Sequence, residues 1–476
     1  MFRDPVQSLE PQFNPTAAIA TRPLRVGMIG IGTVGAGTFR VLARNQAQIA
    51  GRAGRGIEVV VVAARNLARA VHVVGKDVAL TNDPLQVATH PDVDVVVEVA
   101  GGTGPAREWV LAAIAAGKHV VTANKALLAE HGTEIFAAAR QHGVAVAYEG
   151  AVAVSIPIVK ALREGLAANH IEWVAGIING TTNFILSKMR DEGVGFAQAL
   201  QQAQALGYAE ADPTFDIEGI DAAHKITLLA ANAFGMPVRF ADTQVEGITT
   251  LLGLDVACAE QLGYRIKLLG VARRRGGNGA AQSSTQDLEQ DAEQGVELRV
   301  QPALVPATHL MAQVNGSMNG IMVKGDAAGI TMYYGAGAGS EQTASAVIAD
   351  LVDVARLQGT HAAQRVPHLG FHAHAMDEQL AVLPRAAVVT RHYLRVPVHA
   401  AQQVQAIGAW LATQQVPVQQ LTLAQNKALP PSSGPQVMVL TDAVAQATVD
   451  LAVCALAAHP AVNGPVVTLR VEMLEG

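Results

Sequence analysis

Between residues 207 and 225 the chain reads GYAEADPTFDIEGIDAAHK, setting Glu210, Asp212, Asp216, Glu218 and Asp221 ahead of Lys225. Only 16 % of the chain is charged, so about three charges are expected in a window of this length. Such runs are usually a solvated loop entering a helix. Here Asp221 and Lys225 stand four apart where the apolar residues Ile226, Leu228 and Leu229 begin, so on a helix they share a face. A carboxylate one turn from an ammonium is an arrangement that can hold a proton donor for general acid–base chemistry. A second constellation, Gly30-Ile31-Gly32-Thr33-Val34-Gly35, is G-x-G-x-x-G. Between a strand and a helix, its glycines permit a tight turn, close approach to a pyrophosphate and close helix–strand packing, and the helix N-terminus offers free amides. Dinucleotide binding is the functional reading, and a plain Gly-rich turn the other.

The end of the next strand selects the dinucleotide. An NAD site would place Asp or Glu there, but the chain has Ala63-Ala64-Arg65-Asn66. An arginine can pair with a 2′-phosphate, so Arg65 favours NADP(H) over NAD(H), with Lys76 as a second cation. The alternative is a surface arginine that ends a strand. In VTANKALLAEHG, Asn124 and Lys125 follow a strand on the side where open α/β sheets bind ligands, which makes Lys125 a candidate to hold an anion. GIINGTTNFIL ends a strand at Asn179-Gly180 and opens a helix with Thr181 and Thr182, a good N-cap and also a carboxylate site. In YEGAVAVSIPIVKAL, Glu149 ends an apolar strand before a turn. It is either an oxygen ligand for a hard cation or a buried carboxylate satisfied by backbone N–H groups.

These residues need a scaffold. The chain has 476 residues, half of them apolar and only 4 % aromatic, a composition suited to α/β layers with Val-rich strands and Ala-rich helices. A net charge of −6 gives no basic footprint for nucleic acid. Two cysteines, Cys258 and Cys454, are too few for a disulfide framework or a thiolate metal site. No apolar run approaches a membrane span and no signal pattern opens the chain, so a cytoplasmic protein is expected. From Leu24 strands and helices alternate: a strand at Leu24–Ile29, a helix at 34–45, strands from Glu58 and in VVVEVA, a helix at 106–116, a strand in KHVVTAN, a helix from Lys125 and a strand in GVAVAYEG. That rhythm predicts a doubly wound parallel sheet. The stretch 273–295 is polar and aperiodic and reads as a surface insertion. The last 88 or so residues read strand, helix, strand, strand, helix, strand, the ferredoxin-like plan.

Taken in order, GIGTVGAG, AGGTGPAREWVLAAIAAGKHVVTANKALLA, SIPIVKALREG, AGIINGTTNFIL, LGYAEADPTFDIEGIDAAHK and VKGDAAGITMYYGAGAGSEQTASAVIADLVDVAR resemble the homoserine dehydrogenase family over roughly residues 23–360. The resemblance implies NAD(P)-dependent interconversion of L-aspartate 4-semialdehyde and L-homoserine, on the route to threonine and methionine. It implies that Lys225 donates the proton and Asp221 orients it, that Glu210 and Asp216 bind the substrate ammonium, and that Thr181 and Lys125 meet its carboxylate, with Tyr208 in the same site. It places Gly207 and Gly339 beside the cofactor, with Gly30, Gly32, Thr33, Val34, Gly35, Arg65, Lys76 and Lys125. It places sodium at Glu149 and the carbonyls of Val152, Val154 and Ile156, although this chain has Val154-Ser155 where the family has a glycine pair.

The expected domains are a flexible tail at 1–22, a Rossmann domain at 23–150 completed by about 315–360, and an α+β catalytic and dimerisation domain at 151–314. A linker at 360–388 and an ACT-like ferredoxin domain at 389–476 follow. The resemblance also implies a homodimer or homotetramer paired through the middle domain, and threonine as an effector. Where ACT domains show an Asp-x-Pro-Gly turn this chain reads VPVHAAQQVQAIG, which makes a structural or oligomerising role the rival. The rival functions are another nicotinamide dehydrogenase of a small amino acid, and a catalytically silent amino-acid sensor. Intact Lys125, Glu210, Asp221 and Lys225 weigh against the sensor.

Overall fold

The valine-rich runs of the first 150 residues form six strands: β1 (Leu24–Ile29), β2 (Ile57–Ala63), β3 (Ala79–Thr81), β4 (Val95–Glu98), β5 (His119–Thr122) and β6 (Val146–Ala147). The computed structural model describes residues 22–276, 294–357, 359–424 and 434–475. All six strands run parallel in the order β3-β2-β1-β4-β5-β6, the doubly wound order whose switch point lies between β1 and β4. Val95, Val96 and Val97 are fully buried, as expected of strands covered on both faces. The strand expected in GVAVAYEG is shorter than its apolar run. It stops at Ala147 because the Glu149 amide turns away to donate to Asp350 Oδ2 at 2.8 Å. Of the tail, only Arg22 lies within the described residues, where it pairs with Asp94.

Helix Ser340–Arg356 packs along helix Thr33–Arg44 and buries Ala344, Val347 and Leu351 in the core of the first sheet. Of the stretch 315–360, this helix alone joins the nucleotide domain. The strand Met318–Gly325 pairs instead with Ile171–Ile177 in the second sheet, and Gly329–Ala336 pairs with Met318–Gly325 at the edge. That sheet continues through Tyr264–Arg275 and Gly295–Pro306, both antiparallel. The expected insertion is therefore narrower than its polarity suggested: residues 273–275 and 295 are ladder positions, and 277–293 lie outside the described residues. Helix Ile220–Phe234 lies on this sheet and against helix Lys125–Gln141. Every residue from Asp221 to Phe234 is buried, the apolar majority packing and the polar Asp221, His224, Lys225, Thr227 and Asn232 going in with them.

The C-terminal strands Val389–Pro397, Val418–Leu423, Gln436–Thr441 and Val467–Val471 pair in the order fourth, first, third, second, with two helices, which is the ferredoxin-like arrangement. Its outer strand docks in parallel on Gly295–Pro306, through Ala303 with Arg470 and Leu304 with Val471. One sheet therefore runs through both units, which the sequence pattern did not indicate. Buried charges reinforce the junction: Arg299 pairs with both Glu297 and Glu472. The expected linker is pinned as well, since the Val296 amide donates to Ala381 O at 2.8 Å and the Tyr148 hydroxyl to His368 O at 2.9 Å. Among the described residues no helix is long and apolar enough to cross a membrane.

Candidate active site

The Gly-rich turn forms because its positions tolerate little else. Gly30 leaves β1 at φ +102°, and a Cβ there would lie 2.9 Å from the Ala100 nitrogen. A Cβ on Gly35 would lie 2.3 Å from Gly30 O. Gly32 by contrast faces open space, and helix Thr33–Arg44 starts without a side-chain cap. This is a turn with room and free amides for a phosphate group. Gly339 (φ +137°) adjoins it, since the next residue, Ser340, donates to Thr33 O at 2.6 Å. Arg65 is exposed just beyond β2, followed by Asn66, which caps helix Leu67–Val74. Lys76 follows the far end of that helix, just past its Gly75 cap.

Across the switch point, a buried carboxylate shapes the crevice. Glu98 accepts from the amides of Ala100 and Gly101 and from the Thr122 hydroxyl at 2.8 Å. Asn124 caps helix Lys125–Gln141 through the Leu127 amide and donates to Gly102 O at 2.7 Å. These bonds fix the loop after β4 against the end of β5, where Lys125 starts its helix. Neither Glu98 nor this function of Asn124 was anticipated. The one available signal was a lone carboxylate inside the apolar run VVVEVA.

Lys125 and Lys225 converge on Asp221. Lys125 Nζ lies 3.0 Å from Oδ1, and Lys225 Nζ 2.7 Å from Oδ2. Lys225 also donates to Ile178 O at 2.8 Å. An ammonium has three N–H donors, so one of Lys225 is left without a partner among the described residues. Burial pulls the Lys225 pKa down, Asp221 opposes and Lys125 adds to the fall, leaving it below its ordinary value. Burial alone would raise Asp221, but Lys225 and Lys125 overcome it and hold the carboxyl well below the usual range. Asp221's charge raises Lys125 against the cost of burial, with Asp216 and Glu210 adding to it.

Asn179 organises the acids. Its side-chain nitrogen donates to Asp216 Oδ1 at 2.6 Å and Asp221 Oδ2 at 2.8 Å, while its oxygen caps the next helix through the Thr182 amide at 2.8 Å. Sequence reading found the cap and missed the bridge, because Asp216 and Asp221 lie 37 and 42 residues away. Burial raises Asp216, Asn179 opposes this, and Asp221's charge adds to it. The Thr181 hydroxyl donates to Tyr208 O at 2.8 Å, and the exposed Tyr208 ring lies 4.8 Å from that of Phe184. Among the described residues the Gly180 and Thr181 amides have no hydrogen-bond partner, so the helix tip can receive an anion. Glu210 is exposed, with its charge felt at Lys125, and Gly207 turns at φ +75°.

Glu149 is buried just past β6. Its carboxylate accepts the amides of Val159 and Lys160 at 3.0 and 2.9 Å. Burial raises its pKa to about 6 against those donors. The Ile156 carbonyl is taken by the Ile158 amide at 2.8 Å. Asp350, the acceptor for the Glu149 amide, was not anticipated.

Residues 30–149 match the family described as homoserine dehydrogenase, NAD binding domain, and residues 157–352 match homoserine dehydrogenase itself. Homoserine dehydrogenase of Pseudomonas aeruginosa is 50 % identical over 454 residues, covering 95 % of this chain and 100 % of that one. Its counterpart in Neisseria gonorrhoeae is 46 % identical over 456 residues, covering 95 % and 99 %. The crystal structure of a homoserine dehydrogenase from Thiobacillus denitrificans superposes with a TM-score of 0.86 at 50 % identity, covering 95 % of this chain and 99 % of that one. With both halves of the site and nearly the whole length accounted for, this chain belongs to the homoserine dehydrogenase family.

Proposed function

We propose that, in the NAD(P)-dependent interconversion of L-aspartate 4-semialdehyde and L-homoserine, Lys225 carries the proton and Asp221 holds it in place. The observation that carries this is the buried Lys225–Asp221 pair, which among the described residues leaves one N–H of Lys225 unused. An ammonium lowered by burial gives up its proton to a developing alkoxide more readily, and takes it back in the reverse direction. A nicotinamide cofactor, when bound, supplies or accepts the hydride. The Gly30–Gly35 turn and the helix after it would hold its pyrophosphate, and Arg65 a 2′-phosphate, which makes NADP(H) the preferred form.

The substrate is a zwitterion, and the mouth of the site offers both signs. Glu210 and Asp216 receive the ammonium, while Lys125 and the Thr181 amide receive the carboxylate. Sodium is the finer reading for the turn after Glu149. With the Glu149 carboxylate engaged by two amides, the Val152 and Val154 carbonyls would be its main ligands. Subunits pair through the middle sheet, whose edge strand exposes Ile330 and Tyr334. The ACT-like unit serves structure first, because it continues the middle sheet, and threonine is its candidate effector. Initial rates of homoserine oxidation with NADP and NAD, each with and without threonine, test the reading. Activity with neither cofactor would refute it.

A further inference from the structure

Where the C-terminal unit meets the middle sheet there is a small recess partly open to solvent, lined by Arg470, Thr468, His392, Gln446, Arg385 and Glu246 among others. It lies outside the catalytic machinery described above. Arg470 is only 3 % exposed, and its Nε donates to Gln446 Oε1 at 2.9 Å. Its Nη1 and Nη2 make no hydrogen bond among the described residues, and neither does the buried Thr468 hydroxyl. The nearest carboxylate oxygen to Nη1 is Glu297 Oε1 at 3.6 Å, too far for a hydrogen bond. That glutamate is already held by Arg299 and Arg275, and Glu472 by Arg299. Leaving two guanidinium nitrogens buried without acceptors is costly, and a native fold normally supplies a partner.

We infer that this recess binds a small carboxylate, held by the two free nitrogens of Arg470 and the Thr468 hydroxyl. A guanidinium presents two parallel donors that match a carboxylate or a phosphate. Arg470 and Arg385 face Glu246 in the recess and leave one net positive charge, which suits a carboxylate monoanion better than a dianionic phosphate. The recess is too small for a nucleotide, so only a small anion can reach the guanidinium from its open side. Burial, and then the charge of Arg299, hold the Arg470 pKa down at about 10, and the charge of a bound anion would offset both. The recess also touches Gln301 and Pro302 of the strand Gly295–Pro306, on which helix Ile220–Phe234 packs, so occupancy can be felt at the catalytic helix.

The test is thermal unfolding of the full chain in sodium acetate, sodium phosphate and sodium chloride at equal ionic strength, with acetate titrated calorimetrically. The variants are Arg470→Gln and Thr468→Val. Acetate is expected to raise the midpoint saturably above chloride and above phosphate, by mass action on the folded state. Most of that rise should vanish in both variants, and any remainder measures carboxylate binding at the catalytic mouth. If Arg470→Gln does not fold, Thr468→Val decides, since it removes one hydroxyl at nearly constant shape. Full retention of the acetate response in the folded variants, or acetate behaving like chloride, would overturn the proposal and leave the recess to water. A larger response to phosphate would overturn the choice of carboxylate.

Discussion

Lys125 and Asp221 meet across a domain boundary: the ammonium at the end of β5 lies 3.0 Å from a carboxylate on the helix of the middle domain. Lys225 holds the other oxygen of that carboxylate, so the two lysines influence each other through it. Burial is the main reason the Lys225 pKa is low, and Lys125 adds to the effect. Lys125→Met keeps the aliphatic stem and removes the charge. The kcat/KM should fall roughly 10- to 150-fold, the worth of one charged hydrogen bond at about 1.5–3 kcal/mol. Removing a neighbouring cation favours charged Lys225, so its titration in the pH profile of kcat should move to higher pH. A profile that stays put or moves down would break the electrostatic link.

Lys225→Ala deletes the proton carrier while leaving the Gly-rich turn untouched. General acid–base groups contribute about 10²–10⁴-fold, so kcat should drop by that much with the affinity for NADPH nearly unchanged. Steady-state rates with a fluorescence titration of cofactor measure both. A loss smaller than tenfold would remove Lys225 from that role.

Asn179→Ser separates two functions of one side chain. Serine keeps an oxygen to cap the helix through the Thr182 amide, as asparagine does at 2.8 Å, but has no amide to bridge Asp216 and Asp221. The melting temperature should change little, while kcat/KM falls about tenfold or more for the lost charged hydrogen bonds. Equal damage to stability and turnover would make Asn179 a cap only.

The contrast between these residues shows what the sequence disclosed. Asp221 and Lys225 were legible because helical spacing puts residues four apart on one face, and Gly30–Gly35 because a strand, a turn and a helix surround it. Asn179, Glu98 and Asp350 were not, since their partners come from distant strands and helices and no local period encodes such pairings. The ferredoxin order was readable from its alternation of elements. Its fusion to the middle sheet was not, because docking Arg470 beside Ala303 leaves no mark in either strand's own pattern. The strands at 318–336 were expected with the nucleotide domain because they precede its helix. Strand pairing follows the best available sheet edge, not chain order.

Arg65 tests the cofactor. It stands exposed just past β2, with no partner among the described residues, and Lys76 follows the far end of the next helix. Arg65→Ala should raise the Kd for NADPH by about one to two decades, from a charged contact of roughly 1.5–3 kcal/mol. NADH, with only a hydroxyl at that point, should be almost unaffected. The discriminating quantity is the ratio of the two affinities, and added salt should erode it in the wild type. Parallel losses for both cofactors would show that Arg65 merely shapes the adenosine pocket.

Asp350 gives a stability prediction independent of catalysis. Its Oδ2 accepts the Glu149 amide at 2.8 Å from a fully buried position on the helix that closes the nucleotide domain. Burial, and then the negative charge of Glu149, raise its pKa to about 8, against the pull of Lys160 and Arg163. An unfolded aspartate titrates near 3.9. Between those values the folded chain keeps a proton that the unfolded chain sheds. The associated stability is therefore complete below about pH 4 and is lost as pH rises through about 8. Asp350→Asn can still accept the Glu149 amide but carries no titrating proton. Between about pH 6 and about pH 9 the wild-type melting temperature should fall more steeply than that of the variant. Glu149, raised to about 6, titrates in both chains and largely cancels in the difference. Calorimetric melts of the two proteins across that window measure it, and parallel slopes would mean that Asp350 is already ionised in the folded protein.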